Sequence, residues 1–242
     1  MGLMGIGVLQ CLSVGSLFFF KKSGVKRANY FYGSLLITIG LTLLHNIFVV
    51  SSLYESYPYL YFLPIYFTLA LPVFLFYYVK LTLYPSYRLQ NGDIKHFLLP
   101  ILQFLFFLIL FFTETTFKSK LGRHFYNPFF GAFEQFLYLT NFTAYLYFAY
   151  RYILQRRKTV TEKKAYKQIM YLKKLVQLLF VLFVINAVFI IGDFAGYELL
   201  HVNLQTVKPY AGLGALSFAA MAYWLGTYGF QVLLWGRKTF DK

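Results

Sequence analysis

Three ionisable side chains stand inside long apolar runs, and they are the residues with which this chain could do chemistry: His45 in LTLLHNIFVV, Glu134 in GAFEQFLYL and Asp193 in VFIIGDFAG. A carboxyl or imidazole group in hydrocarbon is costly, so such a group marks a ligand site, an ion path or a proton relay unless a neighbour satisfies it. Asn46, Gln135, Asn141 and Asn186 add hydrogen-bonding capacity close by in the sequence. The expected ligand site is His45, Glu134, Asn141 and Asp193, a constellation suited to a small polar ligand. The plainer alternative is that each group meets one of the 23 tyrosine hydroxyls or snorkels to interfacial water.

Other chemistry finds less support. Cys11 is the one cysteine, which excludes an intrachain disulfide and a cysteine metal site. Neither HxxxH nor HExxH occurs, and His124, His201 and Glu114 are scattered, so no metal is expected. The last apolar run holds no interior lysine for a retinal Schiff base. Asn141-Phe-Thr143 reads as a glycosylation sequon but sits within an apolar run. No GxSxG, Walker loop or GxGxxG is present, so neither a catalytic set nor a cofactor is expected, and the chain does not read as an enzyme.

The elements that must position these residues are helices in lipid. Of 242 residues, 59% are hydrophobic, 23% aromatic and 13% charged, more apolar surface than a water-soluble fold of this size can hide. Apolar runs bounded by charge, Pro or Gly predict an all-α, polytopic bundle of seven transmembrane helices in one domain, 1–242, with spans at 2–20, 29–53, 63–83, 97–113, 131–152, 175–196 and 209–235. Met1 to Phe20 is uncharged and followed by Lys21-Lys22, the reverse of a secretory signal, so it counts as the first span. With the N-terminus outside and the C-terminus cytoplasmic, nineteen of the 23 basic residues fall on inner segments, leaving Lys118, Lys120, Arg123 and Lys208 outside. That asymmetry sets the orientation, and it reads the net charge of +15 as topology rather than nucleic-acid binding.

On this topology His45, Glu134 and Asp193 all fall in the outer third, where they would open to the outside. Nine basic residues crowd between Arg151 and Lys174, and Thr159-Val-Thr-Glu162 predicts a capping box between two helical extensions. Arg156, Arg157, Lys163 and Lys164 are the residues expected to couple to anionic lipid or to a cytoplasmic or membrane protein partner. Ala211, Ala215, Ala219, Ala222 and Gly226 share one helix face, which suits close packing inside the bundle or a homodimer contact. Tyr54, Tyr57, Tyr59, Tyr61 and Phe62 predict an interfacial aromatic belt, and Pro72 a kink in the third span.

The stretch Leu63–Pro100, with Pro72 before an aromatic run and His96-Phe-Leu-Leu-Pro100, resembles the seven-helix membrane domain of bacterial AraC-type membrane-anchored transcription regulators. The resemblance implies a sensory module in the bacterial inner membrane that passes an envelope or small-ligand signal to a cytoplasmic output. Only GRKTFDK follows Trp235, so the family's helix-turn-helix half is not in this sequence, and no direct nucleic-acid binding is expected of it. A structural subunit of a larger membrane assembly and a small-solute or proton-coupled transporter are the rival readings.

Overall fold

A computed structural model describes residues 1–122, 131–202, 204 and 207–238; Arg123, His124 and Lys242 lie outside them, as do the side chains of Lys164 and Lys208. The regular elements of the described residues are all helices: α1 Gly2–Phe20, α2 Lys26–Val50, α3 Leu53–Ser56, α4 Ala70–Leu83, α5 Leu98–Phe111, α6 Thr115–Leu121, α7 Gly131–Thr159, α8 Lys163–Leu200 and α9 Lys208–Lys238. Short 3-10 turns cover Pro58–Leu60 and Asn91–Phe97. Four stretches, Gly2–Phe20, Lys26–Val50, Asn91–Phe111 and Ala165–Leu200, are long and apolar enough to cross a membrane, which makes this a membrane protein.

In sequence order α1, α2, α4, α7, α8 and α9 each pack on the next, and α9 returns to pack on both α1 and α2. The closed ring buries one continuous core, while α5 lies outside it with Leu98, Ile101, Leu102, Leu105 and Ile109 exposed. The small face of α9 turns inward: Ala215, Ala219, Ala222 and Gly226 are buried. Two glycines face each other where α1 crosses α2. A Cβ added at Gly33 of α2 would stand 2.9 Å from the carbonyl oxygen of Gly15 on α1 and 2.8 Å from the Phe19 ring.

One end of the bundle gathers the basic turns. There Arg27 donates to the Pro85 carbonyl at 3.2 Å, Lys21 to that of Val232 at 3.4 Å, and Arg156 lies over the Tyr84 ring. The α7–α8 break falls at residues 160–162 where the sequence places it, but not by the expected capping box. Thr159 ends α7 and its hydroxyl bonds back to the Arg156 carbonyl, while Glu162 takes the N-cap position of α8 without a side-chain cap.

The third apolar run departs from expectation. In place of a helix over 63–83, only Ala70–Leu83 is helical, about 21 Å at 1.5 Å per residue, short of the roughly 30 Å of hydrocarbon. Pro64 disfavours helix at Leu63, and Phe62 carries a positive φ of 60°. Pro72 kinks nothing, because it sits in the first turn of α4, where its missing N–H costs no intrahelical bond.

The glycine contacts predict that Gly33→Ala separates α1 from α2 and costs about 1–3 kcal/mol through overpacking. Gly5→Ala, whose added methyl meets nothing within 4 Å, serves as the neutral control. Thermal unfolding in mild detergent should show a lowered midpoint for the first and none for the second.

Candidate functional site

The break before α4 creates the most demanding environment in the molecule. Residues 61–69 run without regular helix beside the last turns of α2, and their backbone groups need partners that a helix would have supplied. Two other helices provide them. The Thr42 hydroxyl of α2 accepts from the Phe67 N–H at 3.0 Å, and the Gln103 carboxamide oxygen of α5 accepts from the Leu69 N–H at 3.1 Å, capping α4. The Gln103 amide nitrogen then donates to Thr68 Oγ1 at 3.0 Å and to Glu134 Oε1 of α7 at 2.6 Å. Thr42, Thr68, Gln103 and Glu134 are all buried.

Next to this network a cleft of about 250 Å³ opens between α2, α3, the 61–62 bend, α5 and α6. His45, Tyr54, Tyr61, Phe62 and Phe107 form much of its wall, with Glu55, Ser52 and Ser119. His45 is held by a 2.8 Å hydrogen bond between its Nδ1 and the Tyr54 hydroxyl, and its ring lies 4.8 Å from that of Tyr66. Tyr66 in turn bonds Thr68 and feels the Glu134 carboxyl, so cleft and cap share one residue between them. Lys118 braces the same region from α6. Its ammonium donates to the carbonyls of Tyr59 and Phe111 at 2.9 Å each, and burial pushes its pKa below the ordinary lysine value.

The four residues expected to converge therefore divide. His45 and Glu134 meet through Tyr66, without touching. Asp193 is half-buried on α8 beside Tyr210 of α9, whose hydroxyl donates to the Phe189 carbonyl at 2.5 Å. Asn141 lies two turns along α7 from Glu134, outside the cap network, about 10 Å away by helical rise. Asn186 also bridges helices: it accepts from the Tyr138 hydroxyl at 3.3 Å and donates to Ser217 Oγ at 3.0 Å, tying α7, α8 and α9. The expected aromatic belt also splits, with Tyr57 and Tyr59 exposed but Tyr54 and Phe62 buried against the cleft.

Towards the basic end the ring is filled by tyrosines. Tyr32 of α2 lies 4.4 Å from Tyr78 of α4 and 5.8 Å from Tyr228 of α9, which stacks on Tyr171 of α8 at 4.7 Å. Beyond them, α4 is clasped to the Asn91–Phe97 turn: Asp93 accepts from the hydroxyls of Tyr77 and Tyr87 and from the Gln90 N–H, each at 2.8 Å. Lys80 stands 3.7 Å from the same carboxylate and 3.7 Å over the Tyr87 ring. His96 Nδ1 pairs with the Tyr145 hydroxyl of α7 at 2.6 Å. Of the expected coupling residues, Arg157 and Lys163 are exposed, and Arg156 is half-buried beside a cleft of about 110 Å³ between Thr82, Pro85, Val160 and Ile169.

Gln103, Thr42, Tyr66 and Asp93 were not singled out from the sequence. Gln103 alone carried a signal, as a lone amide within the apolar run LLPILQFLFFLILFF. Among the described residues no three metal-capable side chains come together. Searches against protein-family models, curated proteins and solved structures found no match to this chain.

The cap predicts a specific sensitivity. Gln103→Leu strands the buried Leu69 N–H and removes a donor from Glu134, at an expected cost of about 2–4 kcal/mol. Leu105→Ala on the exposed face of the same helix should cost far less in the same detergent unfolding experiment.

Proposed function

We propose that this chain is a receptor-like sensory module, a seven-crossing bundle with its N-terminus outside and its C-terminus in the cytoplasm, which passes a signal from the cleft at His45 to its basic end. One observation carries the reading: segment 61–69 both walls the cleft, through Tyr61 and Phe62, and hangs from the cap that starts α4, through Phe67 and Leu69. A ligand that repositions Tyr61 or Phe62 acts on the end of α4, and α4 delivers the displacement to the Asp93 clasp and Tyr84. There Arg156 and the exposed Arg157 and Lys163 form the surface for the output partner. The resemblance of Leu63–Pro100 to the membrane domain of AraC-type regulators is in keeping with the same reading, and with it we propose a bacterial inner membrane as the module's location.

A transporter is the second reading, favoured by the interrupted third run, since broken helices line substrate sites in carriers. Against it stands the tyrosine cluster, which fills the ring on the basic side of the cap.

The two readings separate in one preparation. An environment-sensitive dye on Thr159→Cys, with Cys11 buried and unreactive, reports the α7–α8 turn. A compound that fills the cleft is expected to change the dye signal and, at a hundredfold its Kd, to stabilise the protein by about 2.7 kcal/mol. Both effects should vanish in His45→Ala. Uptake driven by a pH gradient in liposomes, with a silent dye, would replace the receptor by the carrier.

A further inference from the structure

The cleft wall has a composition that selects its ligand. Four aromatic residues line about 250 Å³: Tyr54 and Tyr61 are stacked at 5.9 Å between centroids, and Phe62 and Phe107 lie 5.9 Å apart. Glu55 is the one charged side chain lining it among the described residues. The chain as a whole carries a net charge of +15, yet Lys118, next to the lining Ser119, spends its ammonium on the Tyr59 and Phe111 carbonyls and does not line the cleft. Ring faces are electron-rich and attract a weakly hydrated cation, most strongly when a carboxylate stands at the rim. The volume is below that of a drug-sized pocket, which limits the guest to a small molecule.

We infer that the cleft between α2, α3 and α5 binds a small organic ammonium ion, its cationic head among Tyr54, Tyr61, Phe62 and Phe107 and balanced by Glu55. The inference rests on the receptor reading for its consequence, since it names the ligand class of that same cleft. An anion is disfavoured by Glu55, and a hydrated metal ion by the apolar rings. The Tyr54 hydroxyl, fixed on His45, stiffens the wall on which the cation would rest.

The test uses the full chain in detergent with three probes of similar size: choline, the neutral alcohol in which carbon replaces its nitrogen, and butyrate. Binding is read by tyrosine fluorescence, and the response at the basic end by the dye on Thr159→Cys. Choline should bind at least about tenfold more tightly than either other probe, and Glu55→Gln and Tyr61→Leu should each weaken it about fivefold. Glu55 is exposed, so its replacement leaves the fold intact. Equal binding of the neutral alcohol or of butyrate, or indifference to Glu55→Gln, overturns the cation assignment; a dye response to those probes would still uphold the receptor reading. Glu55-dependent choline binding with a silent dye upholds the ligand class and removes the receptor. No binding of any probe overturns the inference.

Discussion

Backbone N–H groups that leave a helix beside apolar, membrane-length helices must find acceptors, because neither lipid nor a dry core supplies them. In this protein the requirement falls on Phe67 and Leu69, and it is met by Thr42 from α2 and Gln103 from α5. The rest of the arrangement follows from that solution. Gln103 can cap α4 only if α5 lies against segment 61–69, although α5 packs little on the ring otherwise. Its amide nitrogen then needs acceptors, and Thr68 and Glu134 take that role, which draws α7 into the same network. A polar cluster inside an apolar bundle is thus the consequence of one interrupted helix.

The interruption also divides the molecule into two unlike halves. On one side of the cap the chain is irregular, aromatic and open, with a cleft walled by short elements. On the other, the tyrosines of α2, α4, α8 and α9 fill the ring, and Asp93 locks α4 to the Asn91–Phe97 turn through the Tyr77 hydroxyl and the Lys80 ammonium. In the proposed reading α4 is a lever between the cleft end and the clasped end. Glycine contacts such as Gly15–Gly33 hold α1 on α2 and fix the frame against which the lever would move.

The helices themselves were legible from hydropathy because lipid and core both demand apolar runs: α1 falls at 2–20 as expected, and α5, α7, α8 and α9 fall over their predicted segments. The small face of α9 was legible for the same reason, since side-chain size governs how closely helices approach. The third run was misread because 63–83 is apolar but for Thr68, Lys80 and Thr82, and composition does not register that residues 61–69 trade intrahelical bonds for Thr42 and Gln103. Pro72 was misread as a kink since its effect depends on position within the helix, first turn or interior. His45 and Glu134 were visible as ionisable groups in apolar runs, but their link through Tyr66 requires helix rotations that no spacing rule provides. Asp193 carried the same signal and sits elsewhere, beside Tyr210.

The central claim is that the non-helical segment is held by side-chain caps rather than by solvent. Residue-resolved hydrogen–deuterium exchange on the protein in lipid nanodiscs tests it directly. Slow exchange is expected at the Phe67 and Leu69 amides, comparable to that inside α4 and well below that of the exposed Leu89 in the 84–90 connection. Fast exchange at both Phe67 and Leu69, matching Leu89, would mean that the caps do not hold the segment.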